Sequence, residues 1–163
     1  MAKNDEVDRI VDAWEREHPN VDFRAMHVLS RVDRLAKQLD NQRKAAFGAT
    51  GLEVWEFDVL SALRRAGVPN ELSAKKLMSE NMVSSGAMTN RINRLIERGL
   101  VERFTDPADR RGILVKMTEL GREKVDRSIQ LLMVRETELL HTLNTDERTE
   151  LSNLLRKLSL DFD

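Results

Sequence analysis

The order of patterns in residues 73–117 constrains the fold most strongly. A short helix capped by a serine, residues 73–78, is followed by a second serine-led helix over residues 84–99. A stretch of alternating polarity, residues 100–105, and a second predicted strand, residues 113–117, then flank a polar turn. The order of helix, helix and hairpin predicts a mainly α, α+β winged helix-turn-helix with a wing of two to three strands.

Helical periodicity continues on both sides of this unit. The spacing predicts a first helix over residues 4–17, a second over 22–47, a third over 52–66 and a fourth from residue 118 onward. Thr145 is the predicted cap of the last helix. The long helices have little inside a monomer to pack against, so we expect their apolar stripes to bury against a second copy. The predicted organisation is therefore an added N-terminal helix over 1–20, a helical dimerisation region over 21–50 and 119–163, and a winged helix-turn-helix over 51–118.

Composition excludes several classes of function. The 163 residues include no cysteine, which excludes disulfides, thiolate nucleophiles and cysteine-based redox sensing. The three histidines are scattered without metal-ligand spacing, and neither a nucleophile elbow nor a phosphate loop is present. We therefore expect no cofactor, no metal and no enzymatic activity. The N-terminus lacks the apolar region of a signal peptide, so the expected location is the cytoplasm, associated with the nucleoid.

The second helix of the central unit carries residues suited to DNA. The formal net charge is only −1, so a DNA-binding prediction rests on where particular residues lie. The apolar residues Ile92, Leu95 and Ile96 are expected to hold the helix on the domain. The opposite face offers hydrogen-bonding side chains for phosphates and base edges, and the hairpin tip adds two arginines. The predicted DNA-binding residues are Ser84, Ser85, Thr89, Asn90, Asn93, Arg94, Arg110 and Arg111.

Three segments carry a resemblance to a known family. They are GLEVWEFDVLSAL, the helix ending in NRINRLIERGLVER, and DPADRRGILVKMTELGRE. Together they resemble the MarR family of bacterial regulators, and the resemblance covers residues 25–160. It implies a homodimer on a pseudopalindromic operator of double-stranded DNA, with no membrane partner. Repression is the commoner behaviour of that family.

The additional first helix resembles that of the MarR branch that responds to urate and related small organic anions. The resemblance implies an effector site formed by Trp14, Asp58, Arg91 and Arg103. An aromatic wall, arginine forks and one acceptor would suit an anion of the urate, citrate or aconitate type. Structural roles are the alternative. Trp14 could anchor the first helix, Asp58 could pair with Arg64 or Arg65, and Arg91 could face DNA instead.

The resemblance implies a repressor whose recognition helices leave the operator when the anion binds. The alternative is a helical scaffold, or partner-binding protein, that contains a winged helix. The polar face of residues 84–94 argues against the alternative, because a protein-binding groove is usually more apolar.

Overall fold

The computed structural model describes residues 4–107 and 112–160. Two compact units are defined, residues 1–42 and residues 43–163. Within the described residues the elements are α1 (Glu6–Glu17), α2 (Arg24–Gly48), α3 (Val54–Arg65), β1 (Glu71–Ser73), α4 (Ala74–Asn81), α5 (Ser85–Glu97), β2 (Val101–Thr105), β3 (Ile113–Met117), α6 (Glu119–Leu139) and α7 (Thr145–Ser159). The mainly helical winged helix-turn-helix predicted from the sequence is confirmed.

The first unit is organised by a capped helix and one arginine. Asp5 caps α1 because its carboxylate accepts a hydrogen bond from the Asp8 backbone N–H at 3.0 Å. The Asp8 carboxylate in turn accepts from the Asp5 backbone N–H at 3.0 Å. The Arg31 guanidinium of α2 donates to both carboxylates, at 2.9 Å and 3.0 Å to Asp5 and at 2.7 Å to Asp8. The hydrogen bond from Arg31 is the main cause that lowers the pKa of Asp8 below its ordinary value.

The second unit is built on a three-stranded antiparallel sheet in the order β1-β3-β2. Strand β3 pairs with β2 along its length, from Val101 opposite Met117 to Thr105 opposite Ile113. Strand β1 adds a short pairing on the other edge of β3. The core joins residues of α3, α4, α5, the sheet and α6 to the end of α2, with Phe47, Leu60, Leu63, Leu77, Leu95 and Leu100 among its fully buried side chains. One side of α5 packs against this core.

Local hydrogen bonds explain where the central helices begin. The Ser73 hydroxyl accepts from the Lys76 N–H at 3.2 Å and the Ser84 hydroxyl from the Ala87 N–H at 3.4 Å. The predicted cap Ser73 is confirmed, and the second helix begins at the predicted serine pair, with Ser84 as its cap. After α5 the chain turns at Gly99, whose φ of +67° lies in the left-handed region that favours glycine.

The cap predicted for the last helix is wrong by one residue. Asn144 caps α7, and Thr145 is its first helical residue. The Asn144 side chain accepts from the Glu147 N–H at 3.0 Å, and the Glu147 carboxylate accepts from the Asn144 N–H at 2.8 Å. This reciprocal pair requires a glutamate three residues after the cap, which Asn144 has and Thr145 does not.

The last two helices leave apolar side chains uncovered. Helix α7 has no buried residue over its described length, although leucines recur along it at helical spacing. Its exposed leucines are Leu151, Leu154, Leu155 and Leu158, and the outer face of α6 adds Ile129, Met133 and Val134. None of the helices in the described parts of the chain has the length and apolar character needed to cross a membrane.

Candidate nucleic-acid interface and effector residues

Helix α5 presents one polar face to solvent. Met88, Ile92 and Leu95 are buried in the core, and Ile96 packs against it. These residues recur at intervals of three and four, so the remaining positions of the helix point outward. The exposed side chains include all six predicted DNA-binding residues of the helix, namely Ser84, Ser85, Thr89, Asn90, Asn93 and Arg94.

Several of these exposed side chains already have partners. The Thr89 hydroxyl donates to the Ser85 carbonyl at 2.9 Å, one turn back along the helix. The Asn93 side-chain oxygen accepts from Arg103 of β2 at 3.4 Å. Arg94 donates to the Glu53 carboxylate at 3.0 Å. The Thr89 hydroxyl and the Asn93 carboxamide are therefore held in place at the surface, where a base edge or phosphate could reach them.

The wing is described up to its tip. The hairpin strands β2 and β3 stay paired to Thr105 and Ile113, and the Asp106 N–H donates to the Gly112 carbonyl at 3.0 Å. Arg110 and Arg111, the predicted wing contacts, lie outside the described residues.

Two exposed lysines on α4 are not among the DNA-binding residues that the sequence predicted. Lys75 and Lys76 lie in the first turn of the helix that precedes the recognition helix, and both side chains are exposed. In helix-turn-helix proteins this first helix crosses the DNA backbone. The two adjacent lysines follow the capping Ser73 after one alanine, and cations at such a position are suited to phosphate.

The four predicted effector residues have separate partners in the structure. In the first unit, Trp14 is 46% exposed and stacks on His18 and Phe23 at centroid distances of 5.5 Å and 6.2 Å. In the second unit, the guanidinium of Arg91 lies 5.7 Å from the ring centroid of Trp55.

Asp58 and Arg103 are also engaged within the second unit. Asp58 accepts from Arg43 at 2.7 Å, a half-exposed ion pair between α3 and the end of α2. The partners suggested for Asp58 as a structural alternative were wrong, because Arg64 binds Asp126 and Arg65 reaches Ser61 and Glu80. Arg103 lines an open groove of about 800 Å³ between α5 and β2, together with Asn93, Ile96, Glu97, Phe104 and Thr118.

Comparison with known proteins agrees with this winged-helix architecture. The model of the MarR family matches residues 50–112. The HTH-type transcriptional regulator PecS of Dickeya dadantii is 29% identical over 158 residues, which is 97% of this chain and 95% of PecS. The multiple antibiotic resistance protein MarR of Escherichia coli is 36% identical over 104 residues, covering 63% of this chain and 70% of MarR.

Solved structures show the same fold. A mutant of E. coli MarR complexed with operator DNA has a TM-score of 0.70 and 29% identity, covering 83% of this chain and 96% of that one. BpsR of Bordetella bronchiseptica, whose DNA binding is regulated by 6-hydroxynicotinic acid, has a TM-score of 0.60 and 30% identity, covering 79% and 98%. The chain belongs to the MarR family of DNA-binding transcriptional regulators.

Proposed function

We propose that the protein is a homodimeric repressor that binds a pseudopalindromic operator and leaves it when a small organic anion binds. The observation that carries the DNA-binding half is the polar face of α5, raised above a core that buries Met88, Ile92 and Leu95. Ser84, Ser85, Thr89, Asn90 and Asn93 are assigned to the operator, because exposed hydroxyls and carboxamides on a recognition helix bind phosphates and base edges.

The dimer rests on the uncovered apolar faces of the last two helices. Leucines one helical turn apart, such as Leu154 and Leu158, are 55% and 49% exposed. They form an apolar stripe, and a stable helix buries such a stripe against a partner. A second copy presents the same stripe, so a two-fold contact covers both at once. Such a dimer would hold two recognition helices about 34 Å apart, one turn of the double helix.

The effector half is assigned to Trp14, Asp58, Arg91 and Arg103. The support is their chemistry, since an aromatic wall and guanidinium forks bind planar acids, and the groove beside Arg103 has room for one. The regulation of BpsR by 6-hydroxynicotinic acid shows that a relative responds to such an acid. Urate, citrate and aconitate are the further candidates.

The proposed coupling works through the recognition helix. An anion that draws Arg91 of α5 or Arg103 of β2 away from its present partner would shift α5 relative to the DNA. Coupling between two sites typically amounts to about 1–3 kcal/mol, which corresponds to roughly a five- to 150-fold loss of operator affinity.

A gel-shift titration tests both halves. Purified protein is titrated onto the DNA upstream of its own gene, with unrelated competitor DNA, and with urate, citrate, trans-aconitate or 6-hydroxynicotinic acid at matched pH and ionic strength. We expect a specific shift that one acid relieves, and loss of that relief in Trp14→Ala and Arg103→Ala. A specific shift that no acid relieves would contradict the effector half. Absence of a specific shift, there and on a genomic pool, would contradict the regulator and favour a partner-binding protein.

A further inference from the structure

Three arginines follow one flank of the recognition helix. Arg91, Arg94 and Arg98 recur at intervals of three and four, so they share one side of α5. Each of them faces the first turn of α3 or the residues just before it. This flank, which we call the arginine row, is distinct from the face formed by Ser85, Thr89 and Asn93.

The central arginine of the row is held by two partners at once. The Arg94 guanidinium lies 4.8 Å from the ring centroid of Trp55 and donates to the Glu53 carboxylate at 3.0 Å. The same carboxylate accepts from the Trp55 indole N–H at 2.6 Å, which fixes the ring under the guanidinium. Glu53, Trp55 and Arg94 therefore form a closed ring of contacts between α3 and α5.

The end of the helix is fixed in a similar way. Arg98 pairs with Glu56, whose side chain is completely buried, and donates to the Gly51 carbonyl at 2.6 Å. The Glu56 carboxylate also accepts from the Glu53 N–H at 2.9 Å, so the two anchors meet at the start of α3. Arg91 adds a weaker contact with the Trp55 ring.

We propose that Arg94 is a positioning residue for operator recognition, which fixes the angle of α5 through Glu53 and Trp55 and makes no phosphate contact itself. A phosphate contact would have to compete with the aromatic face and the carboxylate that already hold the guanidinium. The inference rests on the proposed operator binding and gives Arg94 a different role from the direct DNA contact that the sequence predicted.

The two roles differ in their dependence on salt. A phosphate contact releases counterions. Its loss makes the slope of log affinity against log salt shallower by about 0.9, and the change is the same for every DNA sequence. A positioning residue acts only where α5 must fit base edges, so its loss reduces specific binding and leaves the salt slope and the non-specific affinity unchanged.

The test measures fluorescence anisotropy with the upstream operator duplex and with a scrambled duplex over a series of salt concentrations. The variants are Arg94→Gln, Glu53→Gln, the double variant and Arg94→Lys. The matched control is Arg122→Gln, which breaks an exposed arginine–glutamate pair on α6 outside the DNA-binding surface. Far-UV circular dichroism and urea titration confirm that each variant is folded.

We expect Arg94→Gln and Glu53→Gln each to lose roughly five- to 30-fold of operator affinity, with no further loss in the double variant. Arg94→Lys, which keeps the charge but loses the fork, should behave like Arg94→Gln. If Arg94→Gln made the slope of log affinity against log salt shallower by about one while Glu53→Gln bound normally, the inference would be overturned and the proposed function would stand. Wild-type protein that binds both duplexes equally would overturn the proposed function and the inference with it.

Discussion

Gly121, in the first turn of α6, lies directly against the backbone carbonyl oxygen of Leu100. A β-carbon at position 121 would stand well under 3.0 Å from that oxygen, a separation that real β-carbons essentially never show. The carbonyl cannot move freely, because it accepts from the Thr118 N–H at 3.1 Å. The start of α6 therefore packs against the residue that precedes β2 at a point where only glycine fits.

Replacing this glycine should destabilise the fold. Alanine in place of glycine normally favours a helix by about 1 kcal/mol, whereas overpacking costs about 1–3 kcal/mol. Because the clash at Gly121 is with backbone, we expect the clash to dominate and Gly121→Ala to lower the free energy of unfolding by up to about 2 kcal/mol. Urea denaturation measures the difference. Gly48→Ala is the matched control, since nothing lies within 4 Å of its added carbon. Equal stability of the two variants would contradict this prediction.

The second prediction concerns the carboxylate of Asp8. The Arg31 hydrogen bond is the largest cause of its lowered pKa, followed by the Asp5 backbone N–H. Arg31→Gln should therefore raise the pKa of Asp8 toward its ordinary value of 3.8, as read from the carboxyl carbon shift in an NMR titration. Arg34→Gln removes an ion pair with Glu6 instead and should leave the Asp8 titration in place.

The same shift has a consequence for acid stability. Because the folded-state pKa is depressed, the stabilising contribution is present above the ordinary pKa and is lost as the pH falls through the folded-state value. The stability difference between wild type and Arg31→Gln should accordingly narrow on acidification below about pH 4. A difference that widens there would show that the lowered pKa of Asp8 is not linked to folding.

Asn90 and Lys75 should affect operator binding in different ways. A carboxamide that pairs with a base edge contributes about 1–3 kcal/mol of discrimination, so Asn90→Ala should weaken operator binding with little effect on a scrambled duplex. Lys75→Gln should weaken binding to both duplexes and lower the salt slope by about 0.9. Anisotropy titrations separate the two effects, with Lys157→Gln on α7 as the control. Equal losses on both duplexes for Asn90→Ala would rule out base reading by this residue.

The leucine stripe of α7 should hold the proposed dimer together. Leu154→Asp places a charge in the stripe, and burial of an unpaired charge is costly, so the variant should sediment as a monomer at concentrations where wild type is a dimer. Asn153→Asp introduces the same charge on the opposite side of the helix, beside Arg156, and should remain dimeric. Analytical ultracentrifugation gives the masses. A Leu154→Asp dimer as tight as wild type would place the interface elsewhere.

Much of the fold could be predicted because its determinants are local. Ser73 and Ser84 begin their helices by accepting hydrogen bonds from the backbone N–H groups three residues later. The turn at Gly99 follows from the residue type, because glycine favours a positive φ. Asn144 and Thr145 are both good caps, so residue type alone did not separate them. The glutamate at position 147 was the deciding signal.

The partners of site residues were harder to predict because they depend on packing between distant segments. Asp58 binds Arg43 from a different helix, and Arg94 meets Glu53 across 41 positions of sequence. Neither pairing could be predicted from the spacing of residues in the sequence. Which residues α5 exposes could be predicted from the spacing of its apolar residues. Which of those residues are already engaged required the structure.

The most direct test of the central claim is a hydroxyl-radical footprint of the purified protein on the DNA upstream of its gene. A dimer that places two α5 helices in successive major grooves should protect two patches on one side of the duplex, related by two-fold symmetry and about 10 base pairs apart. Asn90→Ala should weaken both patches together. A single patch, or uniform protection that any competitor DNA removes, would contradict the account of a two-fold, sequence-specific regulator.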